Sequence, residues 1–222
     1  MKPNFIAIIP ARYNLAEKST LQLVYEQVKK AVETVYIATD DSRFFDAVQS
    51  FGAKAVMISP NHQNSSDCCF EALSLIKKEE RNDIIINVQY NETLILSEQI
   101  EILKSCFEDP TTQIATLIKA FPYNGFFDDL AKQNTTKVVI NKRMEAMYFS
   151  RSIIPYKRGT DRNHWLEAHT YYKHIEMYAY RAEVLREITQ LPQSSLELAE
   201  SLEQLRWLEN GYKIKVGIDK ER

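Results

Sequence analysis

Glycine is scarce in this chain, with five residues in 222. A loop that cradles phosphate with its backbone amides ordinarily needs several, so a glycine-rich phosphate loop is not expected to be the main device. Cysteine is nearly absent as well. Cys68, Cys69 and Cys106 are odd in number and show no metal-ligand spacing, which argues against a disulfide framework or a structural zinc site and for a reduced, cytoplasmic protein. An excess of charge of either sign is missing, with 28 Lys and Arg against 30 Asp and Glu and a net charge of −2, so a dedicated nucleic-acid surface is not expected. Long apolar runs are missing too. The opening M-K-P-N-F-I-A-I-I-P is too short for a secretory signal, and no later run reaches a membrane span, so no membrane association is expected.

The chain does have enough apolar residues, 45%, to build a core for one large domain spanning 1–222. Apolar, β-branched runs at 5–9, 35–39, 55–58, 84–88 and 114–120 read as buried strands. Between them, 24–32, 42–51, 66–78 and 97–107 carry helical spacing, with Gly52 as a stop and Ser97 as a cap. This alternation predicts an α/β fold with a doubly wound, mostly parallel sheet. The run at 84–88 ends in a polar tip, Gln89-Tyr90-Asn91-Glu92. Ligands of such sheets bind beyond the carboxyl ends of the strands, so this tip is the first candidate site. The alternative is a plain strand-to-helix turn capped by Asn91 or Thr93. Beyond residue 121 the rhythm changes. Strand-like stretches at 137–141, 146–149 and 175–180 are joined by polar, aromatic-rich connections. A helix is predicted over 196–210, closed by Asn210-Gly211, and a last strand over 212–218.

Several stretches together resemble one family, the CMP-Kdo synthetases or 3-deoxy-manno-octulosonate cytidylyltransferases, bacterial enzymes that activate the lipopolysaccharide sugar Kdo with CTP. They are I-I-P-A-R-Y at 8–13, V-Y-I-A-T-D-D at 35–41, N-H-Q at 61–63, I-I-N-V-Q at 85–89, K-V-V at 137–139, Y-F-S-R at 148–151 with I-P-Y at 154–156, K-H-I at 173–175 with Y-A-Y-R at 178–181, and L-A-E-S-L-E-Q-L-R-W-L-E-N-G-Y-K-I-K-V at 198–216. They follow the family's order over nearly the whole chain. The resemblance implies a nucleotidyltransferase, Rossmann-like fold with a dimerisation and sugar-side subregion at about 122–185, a homodimer, and CTP and a Kdo-like sugar acid as partners, with Mg²⁺ as cofactor.

Carried over residue by residue, it implies Arg12 and Lys18 as catalytic cations. Ala11, Arg12, His62, Gln63 and Asp67 fall on the nucleotide side. Gln89, Tyr148, Arg151, His174, Glu203 and Gln204 fall on the sugar side, and Asn91 and Asp219 at the metal positions. Ordinary surface charge is the alternative for Arg12 and Lys18, and a solvated tail residue is the alternative for Asp219. The chain also departs from the family. The connection after Arg12 is about half the family's length and lacks its second Arg and its Gly. The family's Gln-Gly-Asp-Glu-Pro is here Gln89-Tyr90-Asn91-Glu92-Thr93, with a neutral amide where Mg²⁺ wants a carboxylate. Glu176 stands where the family has Gly, and the family's terminal helix is lacking after Asp219. The expectation is therefore weak or lost nucleotidyl transfer. The alternatives are a working cytidylyltransferase for another sugar, rebuilt from Lys18, Glu92 and Asp219, or a non-catalytic homologue that binds sugar or protein partners.

Overall fold

A computed structural model describes residues 3–11, 18–76, 83–89 and 95–220, without the side chains of residues 18 and 19. The first half alternates as its periodicity predicts. Strand β1 (Phe5–Pro10) is followed by α1 (Lys18–Ala31), β2 (Thr34–Thr39), α2 (Ser42–Gln49), β3 (Lys54–Met57), α3 (Ser65–Leu75), β4 (Ile84–Val88), α4 (Ser97–Ser105) and β5 (Ile114–Ala120). The second half holds α5 (Phe127–Ala131), β6 (Lys137–Ile140), β7 (Ala146–Ser150), α6 (Trp165–Ala168), β8 (Tyr172–Arg181), α7 (Ala182–Ile188), α8 (Ser195–Glu200), α9 (Gln204–Glu209) and β9 (Ile214–Asp219). Among the described residues no helix is long and apolar enough to cross a membrane.

The sheet runs in the order β3-β2-β1-β4-β8-β5-β9, and the β6–β7 hairpin joins it through β8. β4 is central and parallel to β1. All five of its residues are buried because helices cover both faces, which is why it reads as an unbroken apolar run. Side chains alternate between the faces with the strand period of two. Ala7, Ile9, Ile84 and Ile86 pack under Leu21 and Val28 of α1, Phe44 of α2 and Leu103 of α4. Ile6, Ile8, Ile85, Tyr178 and Tyr180 pack under Ala72 of α3, Leu185 of α7 and Trp207 of α9. A third cluster, Phe121, Leu130, Trp165, Leu166 and Tyr171, underlies the connections beyond β5.

Three local expectations need correction. The helix predicted over 196–210 is two short helices. Ser201 adopts a left-handed conformation (φ 52°, ψ 49°) between them, a break that no Gly or Pro announces. The second concerns α4, where Ser97 is the first helical residue and Leu96 occupies the cap position. The Gln99 side chain accepts from the Leu96 amide at 3.1 Å, so the cap works from inside the helix. The third is strand β8, which is longer than the predicted 175–180 and lies antiparallel between β4 and β5. Strand β9, parallel to β5, brings its carboxyl end to the same sheet edge as those of β1 and β4.

Gly217 on β9 shows how tightly α4 sits on this sheet. A Cβ at this position would lie 2.6 Å from Ile102 Cγ2, closer than real packing allows, and 3.0 Å from Leu117 Cδ2, tighter than most contacts. Gly217→Ala should destabilise the fold by about 1–3 kcal/mol. Urea unfolding would check this, and an unchanged midpoint would show that α4 shifts freely.

Candidate functional site

The carboxyl ends of β1, β2 and β4 open into a cleft of about 300 Å³. Pro10, Ala11, Ala38 and Asp40 form its floor, and Ile58, His62, Gln63 and Asn64 form one wall. A larger groove of about 960 Å³, lined by Phe5, Asp83, Glu101, Phe107 and Arg181, lies at the opposite, amino-terminal edge of these strands, away from the site a doubly wound sheet offers. Ala11 closes the floor of the first cleft. Its amide donates to the Ala38 carbonyl at 2.8 Å, tying the ends of β1 and β2 together.

The wall is built by the start of α3. The Asn64 side chain accepts from the Asp67 amide at 3.0 Å, capping the helix. His62 is held by Glu71 through its Nε2. Glu71 also accepts from the amide (2.9 Å) and hydroxyl (2.7 Å) of Ser59. Burial pushes the Glu71 carboxyl up, but the hydrogen bonds from Ser59 and His62 outweigh it, and the net direction is down. A carboxylate there orients the imidazole and fixes the loop above the cleft. Gln63 is exposed on the rim. Asp67 faces inward, its carboxyl pushed up by burial against the opposing charges of Arg206 and His62.

A second wall continues past Gln89. Asn87, buried in the middle of β4, donates from Nδ2 to Ser65 Oγ at 2.8 Å. The Ser66 hydroxyl lies within reach of Asn64 Oδ1 at 2.9 Å and of the Glu203 carboxylate. Arg206, 5% exposed, donates to Glu203 Oε1 at 3.1 Å and to the Leu191 carbonyl at 3.0 Å, and its Nε pairs with Glu197 at 3.3 Å. Burial pushes the Glu203 carboxyl up to about 7, although Ser66 and Arg206 work the other way. Gln204 is buried beside it at the start of α9. Behind them Tyr178, Tyr180 and Trp207 meet edge to face and stacked, with centroids 5.1 to 5.9 Å apart. Thr116 stands beside the Tyr178 hydroxyl and Asn87 beside that of Tyr180, each opposing the upward push of burial, and Trp207 Nε1 has no hydrogen-bond partner among the described residues. Groups of this kind are normally satisfied by water or a polar ligand. His174 completes the wall. Its Nε2 lies 2.8 Å from Thr116 Oγ1, and burial pushes its ring down to about 3, so it is neutral at ordinary pH.

The remaining residues implied by the resemblance are distributed as follows. Arg12 and Asn91 lie outside the described residues, and so does the side chain of Lys18. Tyr148 belongs to β7 and Arg151 to the turn after it. The Arg151 guanidinium, the fork suited to a carboxylate, is engaged by the carbonyls of Glu200 (2.7 Å), Ser201 (3.2 Å) and Gln133 (3.3 Å), where it straps the break between α8 and α9. Asp219 is not a solvated tail residue. Its side chain is 1% exposed, it accepts from Gln99 Nε2 at 2.9 Å, and it lies 3.5 Å from Lys119 Nζ. Strand β9 pairs in register up to Asp219 itself, which buries the carboxylate under the start of α4.

Mg²⁺ asks for an oxygen-rich shell, commonly one or two carboxylates with substrate phosphates and water. Among the described residues no group of three or more His, Cys, Asp or Glu gathers to hold a metal, and the Asp219 carboxylate already faces an ammonium and an amide. Among the described residues the donors do not fit the ion. Asn87, Ser65, Glu71, Tyr178 and Trp207 were not singled out as candidate site residues from the sequence. Asn87 alone carried a signal, as the one polar residue in an apolar strand.

A sheet of this order with a cleft across its central carboxyl ends defines a nucleotidyltransferase-type fold, and comparison with known proteins narrows it. The model of the family described as cytidylyltransferase matches residues 6–214. A 3-deoxy-manno-octulosonate cytidylyltransferase of Parabacteroides distasonis is 55% identical over 229 residues, covering 98% of this chain and 90% of that protein. Its counterpart in Bacteroides thetaiotaomicron is 54% identical over 225 residues, covering 96% and 89%. A solved structure of CMP:2-keto-3-deoxy-manno-octonic acid synthetase complexed with CTP matches with a TM-score of 0.86 at 37% identity, covering 97% of this chain and 90% of that one. The chain belongs to the cytidylyltransferase family, in its CMP-Kdo synthetase branch.

The titration of Glu203 offers a test of the wall. Its carboxyl holds a proton more tightly folded, at about 7, than at the ordinary 4.5, so its contribution to stability is full below about 4.5 and is lost as pH rises towards 7. His174, pushed down to about 3 from 6.5, acts in the other direction, with stability lost as pH falls below 6.5. Comparing wild type with Glu203→Gln isolates the first effect. Between about pH 5 and pH 8 the wild type should fall behind the variant by up to roughly 3 kcal/mol in urea unfolding. A difference that stays flat would show that Glu203 does not titrate in this range.

Proposed function

We propose that this chain, one domain over 1–222, binds CTP in the cleft beside Ala11, His62, Gln63 and Asp67 and a Kdo-like sugar acid along the wall of Gln89, His174, Glu203 and Gln204. In the reaction proposed, the anomeric hydroxyl of the sugar attacks the α-phosphorus of CTP. An O–P bond forms to the sugar, the bond to the β-phosphate oxygen breaks, pyrophosphate leaves, and the hydroxyl proton passes to solvent. The observation that carries this reading is the meeting of the two walls at Gln89, where a nucleotide-sized cleft opens onto a buried polar surface suited to hydroxyls. Arg12 and Lys18 are proposed to neutralise the triphosphate.

Turnover is proposed to be weak. Asn91 offers a carbonyl dipole where the resemblance calls for a carboxylate, and the connection after Arg12 is short for a triphosphate cradle. Losing one preorganised electrostatic stabiliser typically lowers a rate by about a hundred- to a thousand-fold. The cytoplasm is the proposed setting, in keeping with three free cysteines. A homodimer is proposed through the subregion at about 122–185, where Met147 and Tyr156 are 62% and 74% exposed and have the apolar and aromatic character that interfaces favour.

Calorimetry with Mg²⁺ and CTP, and pyrophosphate release with CTP and Kdo, test the reading. Wild type should bind CTP but turn over slowly. Asn91→Asp should tighten Mg²⁺-dependent CTP binding without restoring full turnover, because the short connection remains. Ordinary turnover by the wild type would overturn the weak-activity reading, and absence of CTP binding would overturn the nucleotide site. Light scattering should give twice the 25.9 kDa chain mass at micromolar concentration. A monomer would refute the dimer.

A further inference from the structure

Glu197, Glu200 and Glu203 are spaced to share one face of a continuous helix. The break at Ser201 parts them. Glu197 and Glu203 both pair with Arg206, and Glu203 also meets the Ser66 hydroxyl. Glu200 instead meets the end of β7. Its carboxylate accepts from Ser150 Oγ at 2.6 Å and from the Arg151 amide at 2.9 Å. Its carbonyl accepts from Arg151 Nε at 2.7 Å. Arg151 Nη2 reaches the neighbouring Ser201 carbonyl at 3.2 Å, and the Arg151 carbonyl is itself held by Lys137 Nζ at 2.5 Å. A left-handed backbone is unfavourable for serine, so Ser201 depends on support from its surroundings. Glu200 gathers that support directly before the break. Two residues after the break stands Glu203, and Gln204 opens α9.

We propose that Glu200 is a positioning residue of the sugar side: it latches the left-handed turn at Ser201 onto the end of β7 and so sets Glu203 and Gln204 along the wall. This inference rests on the proposed sugar side. Glu200 acts through Ser201, without touching a ligand itself. A carboxylate suits the task, because hydrogen bonds to an ionised acceptor are about twice as strong as neutral ones.

The test measures Kdo binding by calorimetry for wild type, Glu200→Ala, Ser201→Gly and the double variant, with CTP binding as a separate arm. The cost of a left-handed residue other than glycine corresponds to about ten-fold in an equilibrium. Glu200→Ala should therefore bind Kdo about ten-fold more weakly than wild type, with CTP affinity unchanged. Glycine takes the left-handed conformation without that cost, so Ser201→Gly alone should bind Kdo as wild type does, and in the double variant it should restore most of the loss. Wild-type Kdo affinity in Glu200→Ala, a loss that Ser201→Gly does not restore, or a parallel loss of CTP binding in Glu200→Ala would overturn the proposal. Should Glu200→Ala fail to fold, Ser150→Ala removes one bond of the latch and should show the same pattern at smaller amplitude. Absence of Kdo binding by the wild type would sink the sugar-side reading, and the latch is then decided by stability alone. The difference between Glu203 and Glu203→Gln that opens from about pH 5 to pH 8 should shrink in the Glu200→Ala background and return with Ser201→Gly. A difference indifferent to Glu200 would overturn the inference there.

Discussion

The antiparallel seating of β8 between β4 and β5 is the constraint on which the rest of this structure depends. β4 is buried along its whole length, so every backbone amide and carbonyl on both of its edges needs a partner. β1 supplies one edge and β8 the other. Because β8 runs against β4, its first half stands at the carboxyl end of the parallel strands, where the cleft opens. His174, Glu176 and Tyr178 thereby reach the neighbourhood of Gln89. The same strand offers its other edge to β5, and β5 in turn orders β9 and carries Asp219 to the same rim.

The two walls of the site are joined by the first turn of α3, and the joint is polar. Asn64 caps the helix, Ser65 takes the Asn87 amide, and Ser66 reaches Glu203 on α9. Each of these groups would be destabilising if buried alone, and each is stabilised by being part of one connected set. That network holds Glu203 where burial favours its protonated form. The aromatic cluster behind it, Tyr178, Tyr180 and Trp207, gives a stiff apolar backing with polar tips.

Charge is distributed unevenly along this rim. Several cations near this rim are engaged inside the protein. Arg151 straps α8 to α9, Arg206 balances two glutamates, and Lys119 stands beside Asp219. Lys137, whose Nζ donates to the carbonyls of Lys132, Thr135 and Arg151, is a buried clamp for the β6–β7 hairpin. Of the basic groups named for triphosphate binding, Lys18 opens α1 and Arg12 lies outside the described residues.

The sequence by itself determined the α/β class, the centrality of β4, the helices on both sides of the sheet and the family, because buried strands and amphipathic helices have different periods and because the motifs recur in order. Of the residues the resemblance implies, Ala11, His62, Gln63 and Gln89 line the carboxyl-edge cleft. Only the tertiary structure decided the antiparallel pairing of β8, since strand direction leaves no mark in an apolar run. The break at Ser201 was equally hidden, because a left-handed serine is held there by the strap of Arg151 and not by local propensity. The sequence leaves Asp219 between a metal position and a solvated tail residue, and only the pairing of β9 with β5 up to its last residue buries it. The pairing of Glu176 with Gln89 joins residues 87 positions apart, and contacts at that separation come from the way the sheet is assembled.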